Sequence, residues 1–330
     1  MSSHRVTLPA ALVAVIALLG VACGSSGAAQ PPAGSTGNTT FAAEVAGVDL
    51  WAGDPQRFEI GIYQSTQANG VRLVTFGTIQ LSFSYLGSDG SATPSPGPQT
   101  TASYLPAPTT HSQGGGPTLS DPATARGVDQ AEDLTFDHSG IWQADVTADV
   151  QGAGIQRLAT QFAVSSKPVF PAPGQKALRT KNLTLASKGV PPSAIDSRAQ
   201  GGNPIPDPDL HRWTIAEALA EHRPVLVVFA TPVYCTSQFC GPTVDGVETL
   251  AKEYANRAVF IHVEIYKKVS SNGSKTPNQA AVDWCFRKGD LIEPWLYLIG
   301  SDGIIKDRWA PLYDPSEVGK QLAALPPMKG

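Results

Sequence analysis

The chain has 330 residues, a formal net charge of -4 and a charged fraction of 16%, low against the roughly 25% of an average globular protein. No basic stripe or basic run occurs, so nucleic acid is not an expected partner. At about 100–200 residues per domain, the length suits roughly two domains.

The first residues bear on the compartment. Arg5 follows a short start, an apolar run extends from Val6 to Ala22, and Cys23 comes next. A positive start, an apolar core and small residues before a cleavage point predict a secretory signal over residues 1–22. The run is shorter than the roughly 20 residues of a membrane-spanning helix. Leu19-Gly20-Val21-Ala22-Cys23 resembles a bacterial lipobox, although Gly20 stands where leucine is commonest. The resemblance implies a diacylglycerol thioether on Cys23 and an anchor on the extracytoplasmic face of the cell membrane. The alternative is an ordinary signal peptide, a free thiol at Cys23 and a secreted protein. Either location permits lasting disulfides. With Cys23 lipidated, Cys235, Cys240 and Cys285 remain, enough for one internal bridge and one free thiol.

Residues 23–40 are rich in Gly, Ser, Pro and Thr and read as a flexible tether. From residue 41 to 164 the pattern is β. Arg57 to Tyr63 alternates, and Val71 to Phe76 and Thr78 to Tyr85 are further strands. Trp142 to Val150 alternates almost strictly, with Gln156 to Val164 as its partner. Such spacing marks half-buried strands. Residues 87–125 are dense in Pro, Gly, Ser and Thr and read as a long, disorder-prone loop. The expected architecture is an all-β sandwich. Phe136 to Trp142, with its Gly-x-Trp edge, resembles immunoglobulin-like extracytoplasmic modules. No cysteine pair lies inside this domain.

Residues 165–210 carry Pro168, Pro171, Pro173, Pro191, Pro192, Pro204, Pro206 and Pro208. They read as a stiff linker that holds two domains apart, with Ala177 to Leu185 as a possible extra strand. Asp207 and Asp209 alternate with prolines and read as linker rather than as a carboxylate site.

From His211 onward helix and strand alternate. Thr214 and Glu217 form a capping box before a helix to about Glu221. Pro224 to Ala230 is a continuous apolar run, as a strand buried on both faces requires. A loop with two cysteines follows, then a helix from about Gly241 to Asn256. Ala258 to Tyr266 is a second buried strand and Lys267 to Thr276 a polar loop. A helix over Asn278 to Lys288, a strand over Trp295 to Gly300, a turn at Ser301-Asp302-Gly303, a returning strand over Ile304 to Trp309 and a helix over Asp314 to Leu325 complete the chain.

This order resembles the α/β thioredoxin-like fold over about Thr214 to Leu325. Cys240-Gly241-Pro242 looks like the Cys-Gly-Pro of thioredoxin, and Glu293-Pro294 stands where that family has a cis-proline. The resemblance implies thiol–disulfide exchange on exported proteins, with Cys235 as nucleophile, Cys240 as resolver and Pro294 beside the substrate. The reverse cysteine assignment stays open. The family motif is Cys-x-x-Cys, whereas Cys235 and Cys240 have four residues between them. If Cys240 aligns with the first family cysteine, Thr243 replaces the second. Glu293 would place a carboxylate near the thiols, which disfavours a thiolate.

Two further readings stay open beside exchange. Cys235–Cys240 is a structural bridge on a redox-inert binding module, since fold alone does not give function. Or the loop handles copper as Sco-type chaperones do, with Cys235, Cys240 and His262 as ligands. His262 reads first as a hydrogen-bonded residue at a layer boundary. Peroxiredoxins share a Thr-Pro-Val-like run, but Thr231 to Cys235 is one residue too long for that motif. Cys285 has the spacing of a core residue. Trp295, Tyr297 and Trp309 are core candidates before they are a docking surface. No phosphate loop, Ser-His-Asp order or paired-carboxylate constellation occurs, and no cofactor is expected.

Overall fold

The computed structural model describes residues 39–66, 70–108 and 115–328. The signal over 1–22, the lipobox cysteine Cys23 and most of the tether lie outside the described residues.

Among the described residues, the first half forms one antiparallel sheet of nine strands. They are β1 (Thr39–Val45), β2 (Gln56–Thr66), β3 (Gly70–Thr75), β4 (Thr78–Tyr85), β5 (Ser95–Pro106), β6 (Thr118–Ser120), β7 (Gly127–Leu134), β8 (Gly140–Val150) and β9 (Gly154–Val164). The order is β6-β3-β2-β7-β5-β4-β8-β9, with β1 also paired to β2. The sheet curls until β1 lies beside β9. Period-two alternation supplies the interior: Phe58, Ile60 and Ile62 from β2 meet Trp142, Ala144 and Val146 from β8. Phe58 sits edge-on to Phe83 at 4.9 Å, with Phe136 and Phe162 packed around the pair.

Much of what is described within residues 87–125 is strand where composition suggested a loop. β5 runs through them, bonded to β4 on one edge and β7 on the other. Its side chains bury little, with Ala102 the one fully buried apolar residue of the strand. Backbone ladders on both edges therefore hold it, and apolar alternation, the usual strand signal, is absent.

The second half contains a four-stranded sheet flanked by helices. Its elements are α1 (Ile215–Ala220), β10 (Val225–Ala230), α2 (Cys240–Glu253), β11 (Val259–Glu264), a hairpin of β12 (Tyr266–Val269) and β13 (Lys275–Pro277), α3 (Gln279–Cys285), a small hairpin of β14 (Phe286–Arg287) and β15 (Asp290–Leu291), β16 (Trp295–Ile299), β17 (Ile305–Trp309) and α4 (Pro315–Ala324). The sheet order is β11-β10-β16-β17. β10 runs parallel to β11 and antiparallel to β16. It is apolar throughout because both of its faces are covered. Val225, Val227 and Phe229 pack with α1 and α3, while Leu226, Val228 and Ala230 pack with α2 and α4. Thr214 accepts from the Glu217 N–H and Glu217 from the Thr214 N–H, so the capping box starts α1.

Residues 165–210 do not hold the two halves apart. Phe170 and Ala177 enter the core beneath β10. Short 3-10 turns at Pro192–Ala194, Ser197–Gly202 and Pro208–His211 bury Ala194, Ile195, Asp196, Ser197 and Ala199. No strand forms over Ala177 to Leu185; that stretch is instead pinned by side chains, with Trp284 Nε1 donating to Thr180 Oγ1 at 2.9 Å and the Ile215 N–H to Asn182 Oδ1 at 2.8 Å. Proline fixes φ without needing a strand ladder, which suits an irregular covering layer as well as a spacer. The halves also touch directly. Arg57 of β2 pairs with Asp307 at 2.9 Å and with Glu317, and the buried Arg308 pairs with Asp49 at 2.9 Å.

Candidate functional site

β10 ends at Ala230 and releases the chain into a loop that returns at the start of α2. Gln238 adopts the left-handed conformation there, at φ 63°. The turn brings Cys235 and Cys240 together as a disulfide with Cα atoms 6.0 Å apart. The two sulfurs have different surroundings. Cys240 opens α2 and is fully buried against Val244 and other residues of the α2–α4 core. Cys235 is only half-buried, with its Sγ 3.3 Å from Ser237 Oγ. No side chain caps α2, so the N–H groups of its first turn, with their partial positive charge, are left without a side-chain acceptor next to Cys240.

The Glu293–Pro294 peptide is cis and lies immediately before β16. Glu293 brings a carboxylate oxygen within 4.8 Å of both sulfurs. Burial, reinforced by the charge of Glu264, pushes the Glu293 pKa up to about 8, although Lys275 and the Thr231 N–H oppose the shift. Its Oε2 is buried without a hydrogen-bond partner. At neutral pH the group is protonated, so it does not set a negative charge against a neighbouring thiolate.

A second ring of residues fixes the loop. Val233 N–H donates to Ser197 Oγ at 3.2 Å, and Ser197 N–H donates to Glu264 Oε2 at 2.8 Å. Tyr234 Oη donates to Gln200 Oε1 at 2.8 Å, and Lys275 Nζ donates to the Tyr234 carbonyl at 3.3 Å. Phe239 packs against a cluster of Ala107 and Val128 from the first half and Leu312 from the second. Both halves of the chain thus support the cysteine loop.

His262 is not brought to the sulfurs. Its ring is fully buried in a separate group with Asp196, Asp207 and His211, and its Nε2 lies 3.1 Å from the Ala230 carbonyl. Cys235 and Cys240 instead group with Glu293, and sulfurs joined in a disulfide offer no thiolate to a metal. Asp207 is a buried partner of Arg198 at 2.8 Å, not a linker carboxylate; Asp209 is exposed and pairs with Arg212. Cys285 is a buried free thiol, and burial pushes its pKa well up. Trp295, Tyr297 and Trp309 are all buried and form core, not a docking face. Asp196, Arg198, His211 and Glu264 were missed in the sequence: Asp196 and Arg198 sit in the segment that prolines marked as a spacer, His211 at its edge, and Glu264 at the end of a buried strand. No protein-family model matches the chain, and no curated protein or solved structure matches it.

Proposed function

We propose that the second half is a thioredoxin-like unit that exchanges thiols and disulfides with exported proteins. On this reading the first half is an immunoglobulin-like module, and lipidated Cys23 holds the chain at the extracytoplasmic face of the membrane. The observation that carries the reading is the asymmetry of the bridge: a reachable Cys235 joined to a buried Cys240 at a helix start.

The chemistry runs as two displacements. A thiolate of an exported protein attacks Cys235 Sγ, the Cys235–Cys240 bond breaks, and Cys240 leaves as a thiolate. The start of α2 stabilises that charge, and the proton held by Glu293 neutralises it. A second thiolate of the substrate then attacks the substrate sulfur of the mixed disulfide and expels Cys235. Two electrons pass from the substrate dithiol to the chain; the two protons that the substrate thiols lost to water return from it, one to the expelled Cys235 thiolate and one to Glu293, and the chain is left with two thiols. Another protein disulfide restores the bridge by the reverse steps.

The competing reading is a structural bridge on a binding module. It draws on the complete burial of Cys240 among core residues. A refolding assay with a reduced, unfolded protein that needs its disulfides to fold separates the two. Catalysed disulfide formation that is lost on Cys235→Ser supports exchange; no acceleration by the wild-type chain supports the structural bridge.

A further inference from the structure

Behind the cysteine loop, four side chains converge in the interior. His262 comes from β11, and Asp196, Asp207 and His211 come from the irregular layer over 192–211. Asp196, His211 and His262 are 0% exposed and Asp207 is 9% exposed. One ligand atom from each lies within 4.8 Å of every other.

The hydrogen bonding at the rim of this group fixes how its atoms face. A carbonyl oxygen only accepts, so the 3.1 Å contact with Ala230 places the proton of a neutral His262 on Nε2. Its Nδ1 then turns a lone pair toward Asp196 Oδ2, 3.4 Å away. His211 Nε2 lies 3.5 Å from the same oxygen and 3.3 Å from Asp207 Oδ1. Yet His262 Nδ1, both nitrogens of His211 and Asp207 Oδ1 have no aligned hydrogen-bond partner, though all are buried. Such groups are costly to leave unsatisfied. Near-contact without alignment is poor geometry for a shared proton and good geometry for a cation that several lone pairs address at once.

We propose that Asp196, Asp207, His211 and His262 form a tetrahedral site for a divalent metal of the zinc class. Bonds of about 2.0–2.1 Å to nitrogen and oxygen place tetrahedral donors roughly 3.3–3.4 Å apart. Three of the six donor separations, 3.3, 3.4 and 3.5 Å, match that edge, and the others lie within 4.8 Å. The charge also matches: two carboxylates and two neutral imidazoles carry the two negative charges that a dication cancels. The outer partners are in place as well. Arg198 donates to both oxygens of Asp196 and to Asp207 Oδ2, and is itself balanced by Glu248 at 2.8 Å. Ala230 holds His262. Partners of this kind orient ligands and tune their basicity. With four protein ligands and no open position, the metal is structural. It staples the 192–211 layer to β11 and so steadies Ser197, which holds the cysteine loop.

Cobalt(II) and zinc titrations of the chelator-stripped, oxidised chain test the site. One equivalent of cobalt is expected to give tetrahedral ligand-field absorption without a sulfur charge-transfer band, zinc to displace it, and zinc to raise the melting temperature. Asp207→Asn and His262→Gln are expected to weaken cobalt binding at least about tenfold, while a Cys235→Ser, Cys240→Ser double variant binds as the wild type does. Absence of the ligand-field band in the folded wild-type chain overturns the proposal and leaves a proton-sharing His–Asp cluster. A sulfur charge-transfer band, or loss of binding in the cysteine double variant, also overturns it by placing the metal on the sulfurs. The wild-type and cysteine-variant titrations decide the matter even if the ligand variants fail to fold.

Discussion

Cys235 and Cys240 share one disulfide but not one environment: Cys235 is half-buried in the loop, and Cys240 is fully buried at the first residue of α2. That difference assigns unlike roles to the two sulfurs and gives the first prediction. Cys240→Ser leaves a reachable thiol that forms mixed disulfides. Cys235→Ser leaves a buried one that reacts at least about tenfold more slowly with a thiol-labelling reagent. Equal labelling rates in the two folded variants, followed by mass, contradict the assignment.

Glu293 imposes a pH dependence. Its folded pKa of about 8 lies above the ordinary 4.5, so the native state keeps a proton that the unfolded chain has released. Its contribution to stability is fully present below 4.5 and is lost as pH rises through about 8. Buried Glu264 is also shifted upward and adds a slope of the same sign, so the comparison between variants isolates Glu293. The urea midpoint of the wild type is expected to fall more than that of Glu293→Gln between about pH 5 and about pH 9. Parallel midpoints in the two proteins would remove the carboxyl group from its buried position.

Asp49 and Arg308 join the halves. They pair at 2.9 Å with side chains 2% and 6% exposed, and Arg308 also stacks on Trp51 and Trp295. Asp49 accepts from the Val169 and Phe170 N–H groups besides. Asp49→Ala leaves a buried guanidinium without its counter-charge and is expected to cost about 3–5 kcal/mol in equilibrium unfolding. A loss below about 1 kcal/mol, the value of a solvent-exposed pair, would mean that the halves do not close there.

Gly97 tests the strand that composition concealed. A Cβ at this position would stand 2.6 Å from Trp142 Cζ3 and 3.1 Å from the Phe83 carbonyl. Gly97→Ala is expected to destabilise the protein by about 1–3 kcal/mol through overpacking, whereas the same change in a loose loop has no such cost. Denaturant unfolding of the variant reads the difference.

Legibility in the sequence followed the burial pattern. β8 was readable because Trp142, Ala144, Val146, Ala148 and Val150 alternate toward one core. β10 was readable because every residue is buried. β5 was hidden because ladders on both edges hold it with little apolar content. The layer over 165–210 was hidden because its proline-rich chain is anchored by single contacts such as Trp284 to Thr180 rather than by a repeating pattern. The cysteines and Glu293 sit close in the fold, and each was visible in the sequence. The Asp196–His211 group was not, since its members come from turns with no periodicity and meet His262 only after the layer has folded onto β11.

The reduction potential of the Cys235/Cys240 pair tests the central claim most directly. It is read by mass-tagging free thiols across a glutathione series. Exchange predicts a value of about -120 to -270 mV, the range of working redox proteins. A value below about -300 mV, typical of structural bridges, would contradict the exchange reading and make the loop a fixed support.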